Sequence, residues 1–392
     1  MIIQPVKLKH KDVFLKYARK YCINEALFNN ALFGYEIRGV DTVTAKAFVD
    51  IFISEKIPCF SMIDENNIAN MILIAPSAQL NYVLKKITKE VKRDFIKELA
   101  TTIDNYFNYR DKSIKIAEKE FSLSRSYVMG ILNVTPDSFS DGGKYFYMDA
   151  ALNRAIDMID RGADIIDIGG ESTRPGAEEV SEEEELARVI PVIKNIKIER
   201  PDSVISIDTT KSVVAEKALA AGASIVNDIS GLTFDEKIID VVKEAAATLV
   251  LMHIKGTPRN MQIDPHYDYI IAEIYNFLYY QAEKAKNAGI KNIIVDPGIG
   301  FGKSVADNYE ILRRLGEFKG LGYPILMGLS KKSFLGKSLG LDVDDRSNAT
   351  IAAETVSVMK GAFIVRTHDV AKAVEAKKIL EFIHNPECVV NV

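Results

Sequence analysis

Two acids, an amide and an ammonium group occur at positions that suit the binding of a flat, polar ring. They are Asp208, Asn227, Asp296 and Lys332. Carboxylates only accept hydrogen bonds, an ammonium only donates them, and an amide does both. We expect Asp296 to accept from a row of N–H groups and Lys332 to donate to a neighbouring carbonyl and ring nitrogen. Apolar residues predicted to cover the ring faces are Met252, Ile229 and Phe301.

A second set of residues suits an anion. Arg366 and His368 alternate at the end of an apolar run, so their side chains are predicted to point the same way. Together with Asn133 they would hold an anionic diphosphate, with Mg²⁺ sharing its oxygens. One amide is a weak magnesium ligand, so substrate phosphates would have to supply most of the coordination.

Short apolar runs alternate with amphipathic helical stretches throughout the second part of the chain. This alternation predicts a (β/α)8 TIM barrel, in which the parallel strands are covered on both faces. An open doubly wound sheet is the competing architecture, but its dinucleotide-binding glycine pattern is missing after the first run. The predicted strands are 128–133, 164–169, 204–208, 224–227, 248–253, 292–296, 324–328 and 362–366.

Polar or charged residues follow every one of these runs. Such a barrel gathers the carboxyl ends of its strands at one rim, where catalytic groups lie. A single polar strand end is usually structural, whereas polar groups at all eight ends indicate a common site. The residues concerned are Asn133, Glu171 to Arg174, Asp208, Asn227, His253, Asp296, Ser330 to Lys332, Arg366 and His368.

The first part of the chain carries a different pattern. Helical spacing at 12–22 and 42–56 and apolar runs at 58–63 and 68–75 predict a small α/β domain. Residues 78–108 are predicted to form one or two further helices, and 114–123 a hairpin at the bottom of the barrel. We place the boundary near 110, giving domains 1–110 and 111–392. The N-terminal domain carries no catalytic motif, so a docking or stabilising role is favoured.

Composition limits the class of protein. The 392 residues have a formal net charge of −4, and no polybasic surface indicates nucleic acid or an anionic membrane as a partner. The three cysteines (Cys22, Cys59 and Cys388) show no zinc spacing, which favours a reducing cytoplasm. No signal peptide or membrane span is predicted.

A series of ordered motifs resembles the dihydropteroate synthases from about Ile114 onward. In that family p-aminobenzoate is joined to the methylene of 6-hydroxymethyl-7,8-dihydropterin diphosphate and diphosphate is released. One departure from the family pattern is Lys331, where many relatives carry Arg. The motifs are NVTPDSFSDGG, DIGGESTRPGAEEVS, ISIDTTK, IVNDISG, LMHIKGTPRNMQ, VDPGIGFGKS, MGLSKKSFLG and VRTHDV.

The resemblance implies a role for individual residues, small-molecule substrates and a homodimer packed through barrel helices. It also implies that the chain is similar to enzymes that sulfonamides inhibit. The implied catalytic residues are Lys332, Asp208, Asp296 and Asp141. The implied pterin pocket is Asp208, Asn227, Asp296, Lys332, Met252, Ile229, Phe301 and Gly328. Asn133, Arg366 and His368 would bind the diphosphate, with Asn133 on Mg²⁺, and Phe139, Thr173, Arg174, Pro175 and Ser333 would border p-aminobenzoate.

Two other functions are considered. A methyltetrahydrofolate–corrinoid methyltransferase module would share the barrel and the pterin pocket, but would need neither the diphosphate cluster nor the STRPG loop. A non-catalytic pterin-binding paralogue would not need all of the family's functional residues, and all of the expected ones are present here. The sequence GIGFGKS fails as a nucleotide-binding loop because Pro297 stands where its first glycine is required.

Overall fold

A computed structural model describes residues 1–29, 32–76, 79–80, 82–83, 94–135, 144–172 and 179–389. The chain divides into two compact units. The first comprises Met1–Tyr109 with Gly316–Gly322, and the second comprises the remainder from Arg110. The short piece at 316–322 therefore packs with the first unit, whereas the sequence pattern had placed it in the barrel.

The first unit is built on a four-stranded antiparallel sheet. Strands β1 (Ile2–Val6), β2 (Phe33–Asp41), β3 (Cys59–Ile63) and β4 (Ile68–Ala75) lie in the order β1-β2-β4-β3. Helices α2 (Thr42–Ser54) and α3 (Asp94–Phe107) pack on one face, and α1 (Lys11–Lys20) packs on the other. The sequence pattern did not predict β1 and β2. Because both faces of the sheet are covered, these strands are largely buried and lack the alternation that marks a half-exposed strand.

The second unit begins with the predicted hairpin, formed by β5 (Ser113–Ile116) and β6 (Lys119–Ser122). Eight parallel strands follow in one sheet. A parallel bridge between Val295 and Ile325 joins the two ends of the sheet and closes it into a barrel. The (β/α)8 TIM barrel is therefore confirmed. The strands are β7 (Tyr127–Asn133), β8 (Ile165–Gly169), β9 (Val204–Asp208), β10 (Ile225–Asp228), β11 (Thr248–Met252), β12 (Ile293–Asp296), β13 (Leu326–Gly328) and β14 (Ile364–Thr367).

Helices connect successive strands. They are α4 (Lys144–Asp160), α5 (Glu182–Glu199), α6 (Ser212–Ala220), α7 (Ile238–Glu244), α8 (Ile270–Asn287), α9 (Val305–Arg314), α10 (Ser333–Leu339), α11 (Ser347–Lys360) and α12 (Val370–His384). Side-chain caps mark the starts of two of them. Ser181 caps α5 by accepting the backbone N–H of Glu184 at 3.2 Å, and Ser304 and Asp307 form a reciprocal capping box at α9.

Among the described residues, no helix combines the length and apolarity needed to span a membrane.

Candidate active site

Strand register brings the predicted pterin-binding acids and amide to one rim of the barrel. Asp208 ends β9 and lies opposite Asn227 of β10, and Asp296 ends β12 opposite Met252 of β11. Gly328 of β13 lies opposite Arg366 of β14, and β13 is next to β12 in the closed barrel. These residues therefore share one end of the barrel, as expected for the carboxyl ends of parallel strands.

Arg366 connects several of these groups. Its Nη2 donates to Asp208 Oδ2 and its Nε donates to Asp167 Oδ2, each at 2.5 Å. The sequence pattern assigned Arg366 to an anion site alone. Its guanidinium is in fact held by two carboxylates. A Cβ added at neighbouring Gly328 would meet no atom within 4 Å, so the space beside Gly328 is open.

Asp167 is a site residue that sequence reasoning missed. It lies in the middle of β8, is fully buried, and also accepts from Asn227 Nδ2 at 3.1 Å. Its position in the sequence could have identified it. Asp167 is two residues before Gly169 in the strand IIDIG, so both residues face the same side of the sheet. An acid in a buried strand should have been assigned to the barrel interior.

Lys332, which follows β13, and Phe301, which follows β12, contact each other at this rim. The ammonium of Lys332 lies 4.1 Å from the centroid of the Phe301 ring, a cation–π contact. Phe301 packs in a buried apolar cluster with the other two predicted ring-covering residues and their neighbours. Its members are Ile229, Met252, Ile254, Met261 and Phe301.

The loop after β12 holds Phe301 in place. Gly298, Gly300 and Gly302 all have positive φ, and a Cβ at Gly298 would collide with the backbone carbonyl of His253. The buried ammonium of Lys303 donates to the carbonyls of Phe301 at 2.9 Å and His253 at 3.2 Å. Lys303 was considered in the sequence only as part of a failed nucleotide-binding loop.

Lys303 also contacts His253. Its Nζ lies 3.0 Å from His253 Nδ1, and burial lowers the pKa of Lys303 to about 7. Burial, with the charge of Lys303, lowers the pKa of His253 well below its ordinary value. His253 is thus a neutral, buried structural residue, and no ligand role had been predicted for it.

Burial also shifts the ionisable groups of the pocket toward neutrality. It raises the pKa of Asp208 to about 7 against the charge of Arg366, and that of Asp296 to about 6 against the backbone N–H of Gly298. Burial and Arg366 lower the pKa of Lys332 to about 8. The pKa of Arg366 is raised, because the carboxylates of Asp167 and Asp208 outweigh its burial.

The predicted anion-binding residues occupy neighbouring strand ends. Asn133 ends β7, and His368 follows β14, where its Nδ1 lies 2.9 Å from Ser330 Oγ. In the described part of the chain no group of three His, Cys, Asp or Glu residues is arranged to hold a metal ion. Asn133 therefore fits Mg²⁺ only as one oxygen ligand among several supplied by a bound phosphate group and water.

The predicted p-aminobenzoate side is described only at one residue. Ser333 is exposed at the start of α10, directly after Lys332. The other predicted residues of this side, Phe139, Asp141, Thr173, Arg174 and Pro175, lie outside the described residues.

The rim brings two acids, an ammonium and a guanidinium close enough to influence one another's pKa values. The buried apolar cluster that includes Phe301 lies beside the ammonium of Lys332. Such a pocket can bind a hydrogen-bonding heterocycle and stabilise charge that develops beside it.

Known proteins share this sequence and fold. A family model described as pterin binding enzyme matches residues 129–368. The dihydropteroate synthase of Clostridium beijerinckii is 47% identical over 274 residues, which cover 69% of this chain and 99% of that protein. A crystal structure of the Yersinia pestis enzyme with a sulfonamide drug aligns with a TM-score of 0.66 and 42% identity, over 70% of this chain and 99% of the other. A Xanthomonas albilineans dihydropteroate synthase with 4-aminobenzoic acid aligns with a TM-score of 0.65 and 40% identity, over 70% and 98%.

The match spans more than half of this chain and almost the whole length of these relatives, and it includes the strands that carry the pocket. The chain therefore belongs to the dihydropteroate synthases, transferases of folate biosynthesis.

Proposed function

We propose that the rim pocket binds 6-hydroxymethyl-7,8-dihydropterin diphosphate and transfers its pterin methylene to the amine of p-aminobenzoate. The observation that carries this assignment is the grouping of Asp208, Asn227, Asp296, Lys332 and Arg366 at one rim of the barrel. The donors and acceptors of this group complement those of a pterin ring.

Ring recognition is assigned to Asp296 and Lys332. Asp296 accepts from the 2-amino and N3–H groups, and Lys332 donates to the ring carbonyl and N5. The buried cluster around Met252 and Phe301 covers the ring faces. A site of this kind rejects analogues that leave its buried polar groups without partners.

The diphosphate is assigned to Asn133, Arg366 and His368. Arg366 stays protonated, since its pKa is raised, and it retains donors beyond the two that its carboxylate partners use. We further propose that Mg²⁺ binds between Asn133 and the diphosphate, where it would neutralise charge on the leaving group.

The mechanism follows from where charge develops. Arg366 stabilises the departing diphosphate, while Asp208 and Asp296 stabilise the positive, resonance-stabilised pterin methylene cation that remains. The neutral aromatic amine then attacks the methylene carbon and afterwards loses its extra proton to solvent. The protein's main contribution is to hold the two reactants in line.

The p-aminobenzoate side is proposed from resemblance to the family. Phe139, Asp141, Thr173, Arg174, Pro175 and Ser333 would border the second substrate. The Xanthomonas albilineans structure contains 4-aminobenzoic acid and the Yersinia pestis structure a sulfonamide. We propose that a sulfonamide competes with p-aminobenzoate in this chain as well.

A homodimer through α11 and α12 is proposed. Val356 and Met359 on α11 and Ile379 and Ile383 on α12 are exposed by 41–66% of their surface. A second copy covering these side chains would bury apolar area. Analytical ultracentrifugation should give twice the chain mass of 43.6 kDa. A monomer at micromolar concentration would refute this assembly.

We place the reaction in the cytoplasm. Cys22 and Cys59 are free thiols. Free thiols are compatible with the reducing conditions of that compartment.

Diphosphate release by the full chain tests the proposed reaction. We expect rapid release only when p-aminobenzoate and Mg²⁺ are both present, together with formation of dihydropteroate. Pterin binding without any release would identify a non-catalytic pterin-binding protein. Methyl transfer to a corrinoid instead would identify the methyltransferase alternative.

A further inference from the structure

Asp167 lies one layer beneath the rim, among the interior side chains of the barrel. In the register of β8 and β9 it is paired with Ser206, whereas the rim residue Asp208 is paired with Gly169. Asp167 is fully buried, and its Oδ1 has no hydrogen-bond partner among the described residues. Burying an incompletely paired carboxylate is costly, so packing alone is a poor explanation for an acid at this position.

The other oxygen of Asp167 holds two residues of the pocket at once. Oδ2 accepts from Arg366 Nε at 2.5 Å and from Asn227 Nδ2 at 3.1 Å. These donors come from β14 and β10, which lie on either side of β8 in the sheet order. Asp167 is therefore a shared anchor for the two side chains.

The contact with Asp167 determines which way the amide of Asn227 faces. A carboxylate can only accept, so the amide atom next to it must be the nitrogen. The amide oxygen consequently lies on the other side of the group, and it accepts no side-chain hydrogen bond within the described part of the chain. That oxygen is left to accept from a ligand.

We propose that Asp167 is a positioning residue that orients the amide of Asn227, and so selects a 2-amino-4-oxopteridine over its 2,4-dioxo counterpart. The inference rests on the proposed function, because it places the pteridine ring against Asn227. A 2-amino group donates to the fixed amide oxygen, whereas a 2-oxo group faces it with a second acceptor. If the amide could turn over, its NH2 would satisfy the 2-oxo ring and the preference would shrink.

The test compares the dissociation constants of pterin and lumazine, measured by calorimetry, in the wild type and three variants. Asp167→Ala removes the anchor, Asp167→Asn keeps one carbonyl oxygen, and Ser206→Ala is the matched control in the same interior layer. Ser206 is fully buried and its hydroxyl has no hydrogen-bond partner among the described residues.

In wild type the dissociation constant of lumazine should exceed that of pterin. We expect Asp167→Ala to reduce this ratio of dissociation constants (lumazine over pterin) at least about tenfold, and Asp167→Asn to reduce it by an intermediate factor of about threefold. Ser206→Ala should keep the wild-type ratio. The KM for p-aminobenzoate should stay within about twofold of wild type in all three, since Asp167 does not orient that substrate.

A wild-type ratio in Asp167→Ala would overturn the proposal, and so would an equal fall in Ser206→Ala. If Asp167→Ala does not fold, Asp167→Asn decides, and an unchanged ratio there overturns it. The affinity ratio is independent of turnover: a wild type that binds pterin selectively but releases no diphosphate would refute the proposed function and leave the role of Asp167 standing.

Discussion

Buried acids in the two units of this protein are treated in opposite ways. In the first unit, the carboxylate of Glu36 is fully buried and meets Lys20 Nζ at 2.7 Å, Tyr21 OH at 2.9 Å and the guanidinium of Arg38. These partners overcome the effect of burial and lower the pKa of Glu36. In the barrel, burial prevails and raises the pKa of Asp208 and of Asp296.

The opposite pKa shifts distinguish an acid that stabilises the fold from acids that are available to a ligand. Glu36 is ionised and surrounded by partners, so its charge serves the packing of the sheet on α1. Asp208 and Asp296 have fewer partners than buried carboxylates need, which leaves hydrogen-bonding capacity for a ligand.

The largest expected effect is on the barrel side. Lys332→Ala removes the ammonium over Phe301 and should lower kcat/KM at least about 1000-fold, because a donor aimed at the pterin ring is lost. Lys331→Gln is the matched control: it removes an adjacent charge that pairs with exposed Asp344, and should change kcat/KM by less than about fivefold. Comparable losses in both variants would show that Lys332 has no special role.

In the first unit, a change at Glu36 should affect the free energy of unfolding and not the activity. Glu36→Gln leaves Lys20 and Arg38 without their carboxylate and should lower the free energy of unfolding by about 3 kcal/mol. At about 20 °C, kcat/KM should stay within about twofold of wild type, because Glu36 lies outside the barrel. Lys97→Ala, which breaks the exposed pair with Asp94, is the control and should cost almost nothing.

The sign of the pH effect at Glu36 follows from its lowered pKa. Its stabilisation is present above the unfolded pKa near 4.5 and is lost as the pH falls through the folded value. Chemical unfolding of wild type and Glu36→Gln should therefore converge on acidification. A gap that stays constant would mean that ionisation of Glu36 does not stabilise the unit.

Pterin affinity should respond to pH in the range where Asp296 titrates. The ionised carboxylate is the acceptor, and its pKa is raised to about 6, so pterin should bind roughly tenfold more weakly at about pH 5 than at about pH 7, where Lys332 is still mostly protonated. Calorimetric titrations at both pH values measure this. Asp296→Asn should bind weakly at both, and a wild-type-like pH dependence in that variant would assign the titration to another group.

The smallest effect concerns Glu354, a buried acid on α11 that lines a small cavity with Tyr127 and Lys377. Burial raises its pKa to about 8 from 4.5, so the stabilising protonated form is complete below pH 4.5 and is lost as the pH rises toward 8. Glu354→Gln should be more stable than wild type at about pH 8 and equally stable at about pH 4 in thermal unfolding, because the amide cannot ionise. It should leave kcat/KM unchanged. That result would show that a buried acid can have a raised pKa without taking part in the reaction.

The barrel and most of its rim could be predicted from the order of the residues. Strand–helix alternation and polar residues after each apolar run depend only on local periodicity, so β9, β10 and β12 and their terminal residues could be located from the order of the residues alone. The motifs that resemble dihydropteroate synthases added the reaction. The strands of the first unit were harder, since β1 and β2 are covered on both faces and carry no alternation.

Only the tertiary structure decided which partners these residues have. That Asp167 holds both Asn227 and Arg366, and that Lys303 supports the loop of Phe301, depends on side chains that meet across the barrel from 50 to 199 positions apart in the chain. Periodicity places a residue on a face of its own strand, but barrel closure and register decide what lies opposite. The pKa values of the pocket depend on that same burial, which no local pattern specifies.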